Sequence, residues 1–137
     1  MSYEILEHSA DEKFHAQGET LEEAFKEAVK AFSEIVEGGG GMYTHSIEVE
    51  SENLEALLFD FLDQLIRLQD IEQVVVSHAK NLDYEELNDA HRIEADIMVD
   101  TIDLDEKPLD IKAPTYNEMK VDYIKGEGWT LEAVLDI

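Results

Sequence analysis

The chain has 137 residues, with 10 Lys and Arg against 34 Asp and Glu, for a formal net charge of −24. A chain this acidic lacks the basic footprint that nucleic-acid phosphates or an anionic membrane leaflet require, which argues against direct docking on either. It contains no cysteine, which excludes disulfides, zinc–thiolate sites and thiol catalysis.

The charge does not signal disorder. Hydrophobic residues make up 44% of the chain and aromatics 8%, and the charges are interspersed with regular apolar periods rather than gathered in one block. The length suits one domain, 1–137, with a single core. The start, MSYEILEH, has neither a cationic nor an apolar signal region, and no apolar run approaches the ~18 residues of a membrane span. A soluble, cytoplasmic protein is expected.

Residues 3–7 read as a short strand, broken by the turn-forming stretch 8–12. Phe14 and Ala16 alternate with Lys13 and His15, predicting a second short strand that ends at Gly18. Thr20 and Glu23 form a capping box that opens a helix. Leu21, Phe25, Ala28, Val29, Phe32, Ile35 and Val36 fall on one face of it. Glycines 38–41 end it, Gly being the residue that tolerates the left-handed position after a helix.

Ile47 and Val49 mark a strand. Ser51 or Asn53 then caps a second helix, whose stripe runs Leu54, Leu57, Leu58, Phe61, Leu62, Leu65 and Ile66. It is the most hydrophobic helix of the chain and is expected to be central. The period changes to two at residues 71–78, a strand centred on Val74, Val75 and Val76. Residues 79–90 are polar, a loop or short strand around Leu82 and Tyr84. Ile93, Ala95, Ile97 and Val99 give the clearest amphipathic strand.

A turn is expected at 103–107, and strand-like segments at 111–119 and 121–124, where Pro114 implies an edge or bulge. Residues 126–128 form a hairpin turn. Trp129, Leu131, Ala133, Leu135 and Ile137 occupy one face of the last strand. With helices early and strands late, the fold class is α+β: two helices on one face of a mixed, largely antiparallel sheet, a two-layer sandwich.

Few patterns point to chemistry. The glycine run follows a helix and precedes a strand, the wrong order for a phosphate loop, and reads as a flexible connection. The histidines at 8, 15, 45, 78 and 91 form no HxxxH or HxH pair, so a zinc hydrolase is disfavoured. There is no GxSxG elbow. Most carboxylates read as a solvated face. Asp11, in a polar break between strands, and Asp136, on an otherwise apolar final strand beside the terminal carboxylate of Ile137, stand out. If their segments are neighbours, three oxygen groups converge, a donor set that suits a hard cation such as Ca²⁺ or Mg²⁺. Lys112, one of few basic residues, opens a strand. It reads either as a partner of a carboxylate cluster or as an edge lysine that discourages edge pairing.

Five segments then coincide: His8-Ser9-Ala10-Asp11, Thr20 to Phe25, Asn53 to Asp63, Lys112-Ala113-Pro114-Thr115-Tyr116, and Val134-Leu135-Asp136-Ile137. In order and spacing, over nearly the whole chain, they resemble the archease family. One departure is Asn117, where the family usually has His after the Thr-Tyr pair. The resemblance implies a non-enzymatic, chaperone-like accessory protein of the RtcB-type tRNA-splicing RNA ligase, which joins RNA ends through a guanylylated histidine using GTP and divalent metal. It implies that the chain promotes guanylylation and multiple turnover of that ligase. It also implies a divalent metal ion, Ca²⁺ foremost with Mg²⁺ or Mn²⁺ as alternatives, held by Asp11, Asp136 and a main-chain oxygen of Ile137, with Lys112 a further functional position.

Two other readings stay open on the residues themselves. One is a self-standing metal-dependent phosphohydrolase, which needs a convergent carboxylate cluster with a base or nucleophile. The other is an acidic protein-binding module without a metal, whose charge serves solubility.

Overall fold

The computed structural model describes residues 1–6, 11–102, 111 and 113–137. The elements run β1 (Ser2–Leu6), β2 (Asp11–Gly18), α1 (Leu21–Ile35), β3 (Tyr43–Ser51), α2 (Leu54–Glu72), β4 (Val74–Glu86), β5 (His91–Thr101), β6 (Ala113–Ile124) and β7 (Gly128–Asp136). The α+β class and the order of elements are those expected. The strands divide between two sheets, ordered β1-β2-β7-β6 and β3-β5-β4, and these neighbours pair antiparallel.

Both helix starts follow from their capping residues. Thr20 Oγ1 accepts from the Glu23 N–H at 3.1 Å, and the Glu23 carboxylate accepts in return from the Glu19 N–H at 3.0 Å. Asn53, not Ser51, caps α2: its side chain accepts from the Ala56 N–H at 2.8 Å. Ser51 instead donates to Asp60 at 2.6 Å.

The glycine run plays a different part from the one expected. The left-handed residue after α1 is Glu37, with φ 59°. Gly38 is required by close approach, because a Cβ there would collide with the Val76 carbonyl oxygen and with Ser33 Oγ. Nor is the segment a loose tether. Asp100 accepts from the Gly41 and Met42 N–H groups at 3.0 and 3.1 Å, and Ser77 Oγ donates to the Gly39 carbonyl at 2.6 Å.

Three boundaries shift. β2 begins at Asp11, so Asp11 and Glu12, expected in the turn, are strand residues paired with Asp136 and Leu135. α2 runs on to Glu72, so Ile71, expected to open a strand, is a helical residue 73% exposed. Nothing breaks the helix until Gln73, which takes φ 55°. The buried Gln69 side chain accepts from the Val76 N–H at 2.9 Å and ties the helix end to β4. β4 continues through the polar stretch to Glu86, paired with β5 as far as Glu86 opposite His91. Bulges between Val76 and His78 and between Ala79 and Asn81 interrupt its alternation twice, which hides the strand period from the sequence.

α1 packs on β1, β2, β4 and β7, and α2 on β3, β4, β5 and β6. Each helix therefore touches both sheets and joins them into one core. The helices meet where Phe25 and Phe61, both fully buried, stand edge to face at 5.4 Å and 87°. Phe61→Ala is expected to lower the unfolding free energy by about 3–5 kcal/mol, measured by urea denaturation followed by circular dichroism.

Candidate functional site

The site begins with the pairing of β2 and β7. Their register sets Asp11 opposite Asp136, Lys13 opposite Val134 and His15 opposite Glu132. Side chains alternate along each strand. Phe14 and Ala16 therefore face the core with Leu131, Ala133 and Leu135, while Asp11, Lys13, His15, Glu132, Val134 and Asp136 share the outer face. β6 closes the other side of β7 and places Ala113 beside Asp136. Ile137 follows at once, its side chain packed against the core, so its main chain is held at the same end of the ladder as the two aspartates.

Directly opposed residues on one face of an antiparallel pair have Cβ atoms about 5 Å apart, and like charges in that position repel. A divalent cation would convert that repulsion into attraction. The donors are carboxylate and main-chain oxygens, the set a hard cation prefers, so the residues present fit such an ion. Among the described residues no group of three or more His, Asp or Glu side chains is arranged to hold a metal. The oxygen donors at this end of the ladder are the two aspartate side chains and the main chain of Ile137.

Next to the aspartates along the ladder lies a small charged network. Lys13 Nζ is 3.8 Å from Glu118 Oε1 and 3.8 Å from Glu132 Oε2. Glu132 Oε1 is 3.3 Å from His15 Nδ1. Between the network and the aspartates, Val134 is fully buried although it lies on the outer face. Glu118 comes from a wide bulge: Thr115 pairs with Val134 and Lys120 with Glu132, so residues 116–119 stand against Ala133 alone. The alternation of Lys13 and His15 placed both on the polar face of β2. Their pairing with Glu132 needed the register, and the reach of Glu118 needed the bulge.

The same bulge turns Tyr116 toward α2. Its ring stacks on Phe59 at 4.3 Å and 5°, joining two of the segments that carry the family resemblance. Partial burial pushes the Tyr116 phenol above its ordinary pKa, and the nearby Asp60 and Glu52 carboxylates add to the shift. Asn117 is exposed, and its N–H donates to Thr115 Oγ1 at 2.9 Å. Lys112, His8, Ser9, Ala10 and the turn expected at 103–107 lie outside the described residues. Of the remaining histidines, His78 contacts Ser77 Oγ at 2.9 Å, and His91 contacts Tyr84 Oη at 2.6 Å.

Residues 3–137 match the Archease protein family (MTH1598/TM1083). The chain belongs to the archease family. Relatives named protein archease include one from Methanosarcina barkeri, 34% identical over 140 residues that cover 98% of this chain and 95% of the relative. Another, from Pyrobaculum neutrophilum, is 33% identical over 141 residues with the same coverage. The solution structure of Methanobacterium thermoautotrophicum protein 1598 superposes with a TM-score of 0.82 at 26% identity, over 99% of both chains. The crystal structure of a Thermotoga maritima archease, described as a possible chaperone, shares the fold at a TM-score of 0.62 and 19% identity, over 96% of this chain and 94% of that one. No helix among the described residues of this archease-family chain is long and apolar enough to cross a membrane.

The opposed aspartates yield a stability prediction. In metal-free buffer containing EDTA, Asp136→Asn is expected to stabilise the protein by about 0.2–1 kcal/mol, because it removes one of two like charges across the ladder. Thermal unfolding of the two proteins measures it.

Proposed function

We propose that this archease-family chain is a cytoplasmic, chaperone-like accessory protein of an RtcB-type RNA ligase in tRNA splicing. It holds a divalent cation, Ca²⁺ in the first place, with Asp11, Asp136 and the main-chain oxygen of Ile137. In this role it promotes guanylylation of the ligase and so its multiple turnover, without joining RNA itself. The observation that supports the reading most directly is the register that sets Asp11 opposite Asp136 in a chain whose family match spans residues 3–137.

The physics of the surface is consistent with a protein partner. An acidic body of net charge −24 is steered toward the basic cleft that an RNA-handling enzyme must present, with an on-rate that falls as salt rises. The same charge keeps it off the RNA, since it has no counterions to release from the phosphates. When bound, the cation supplies a local positive charge at the sheet end and neutralises the carboxylate pair. The protein's own part is to preset the two carboxylates through backbone pairing, so that little ordering remains to be done on binding. Lys112, which precedes the β6 residue beside Asp136, is included in the proposal as a functional position.

The test is ligation under multiple-turnover conditions with the cognate ligase. Asp11→Asn and Asp136→Asn are each expected to lower stimulation by at least about tenfold, and Lys112→Ala to lower it as well. Single-turnover joining by pre-guanylylated ligase is expected to be unchanged. Full stimulation by both aspartate variants overturns the reading.

A further inference from the structure

Residues 116–119 of β6 stand outside the regular ladder, since Thr115 pairs with Val134 and the next paired residue is Lys120, opposite Glu132. A bulge re-aims side chains, and this one aims Tyr116 at α2, where its ring lies flat on Phe59 at 4.3 Å and 5°. The Asn117 N–H, turned out of the ladder, donates to Thr115 Oγ1 at 2.9 Å and fixes the start of the bulge. Tyr116 nevertheless remains 57% exposed. One face of its ring is covered by Phe59, so the other is presented at the surface. Neither ring is part of the hydrophobic core, so sealing that core does not account for the pair.

The surroundings of the ring are acidic. Asp60 follows Phe59 on α2, and its carboxylate accepts from Ser51 Oγ at 2.6 Å. That bond fastens the end of β3 to the helix and brings the exposed Glu52 to the same corner. Both carboxylates lie close enough to raise the Tyr116 phenol. The one basic residue of α2, Arg67, is held by Asp63 at 2.9 Å. The face of an aromatic ring is the negative end of its quadrupole, so ring and carboxylates attract the same ligand, a cation. A guanidinium satisfies both at once, because it stacks flat on the ring and directs its N–H groups sideways to carboxylate oxygens. A nucleobase also stacks on tyrosine, but its phosphates would meet Asp60 and Glu52 without any basic residue to neutralise them. The corner therefore favours a protein partner.

We propose that the Tyr116 ring, backed by Phe59 and flanked by Asp60 and Glu52, is a docking point for an arginine side chain of a protein partner. The inference rests on the ligase reading given above, with the ligase as that partner, and adds the surface through which the two meet. Tyrosine and arginine are among the residues that dominate interface energetics. The stack on Phe59 sets the ring before binding, so little side-chain freedom is lost when the partner arrives.

Binding of the whole chain to the cognate ligase, measured by biolayer interferometry over a range of salt, tests this, with circular dichroism reporting the fold of each variant. Tyr116→Leu is expected to weaken binding at least about tenfold, mainly through faster dissociation. Tyr116→Phe, which keeps the ring face, is expected to stay within about threefold of wild type. Glu52→Gln is expected to weaken binding about threefold and to flatten its salt dependence. Its side chain is exposed, and it carries the test should Tyr116→Leu not fold. Arginine amide is expected to displace the wild-type chain from the ligase better than lysine amide at equal ionic strength; equal displacement overturns the arginine assignment. Wild-type affinity in Tyr116→Leu, or in Glu52→Gln where that variant carries the test, overturns the docking point and leaves the ligase reading intact. So does an equal loss in Tyr116→Phe, or a single-stranded RNA oligonucleotide that binds the chain alone and is released by Tyr116→Leu. A wild-type chain that neither binds nor stimulates the ligase overturns that reading, and this inference with it.

Discussion

The pairing of β2 with β7 is the constraint on which the rest of the molecule depends. It joins segments from the first and last parts of the sequence, Asp11 to Gly18 against Trp129 to Asp136, and forms the centre of the four-stranded sheet. Because side chains alternate with a period of two, a slip of one residue would send Phe14, Ala16, Leu131 and Ala133 to the outside and bury Lys13, His15 and Glu132. The core therefore specifies the register, and the register places Asp11 opposite Asp136. The geometry of the candidate site is inherited from hydrophobic burial on the other face of the same two strands.

The helices make that arrangement part of a single body. Each contacts strands from both sheets, and their contact through Phe25 and Phe61 lies within the one continuous core. The segment from α1 to β3 is fastened where flexibility was expected: Gly38 lets the backbone pass close to β4, and Asp100 holds the amides of Gly41 and Met42. The buried Gln69 amide performs the same service at the end of α2 by accepting from the Val76 N–H. Unpaired backbone donors are costly to bury, so these polar side chains stand where the ladders and helices stop.

The outer face of the four-stranded sheet combines repulsion with compensation. Two aspartates oppose each other at one end of β2 and β7, while Lys13, His15, Glu118 and Glu132 form a paired set next to them. Val134, buried between them, separates the two groups along the ladder. In a chain of net charge −24, most carboxylates lack any such context, which is why composition by itself could not single out a site.

Much of this was legible in the amino-acid sequence. Local signals carried both helix starts, the alternating strands, the hairpin at 126–128 and the α+β class, because capping and hydrophobic period are short-range properties. Asp11 was conspicuous in a polar break between strands and Asp136 on an otherwise apolar one, and the edge or bulge implied by Pro114 is present in β6, which is both an edge strand and bulged. The tertiary structure alone decided the division into two sheets, the continuation of β4 through its bulges and the run of α2 to Glu72. It alone set the register that opposes the aspartates and the bulge that carries Glu118 to Lys13. Those features depend on which distant segment a strand meets, and a pairing between opposite ends of a chain leaves no periodic trace in either segment.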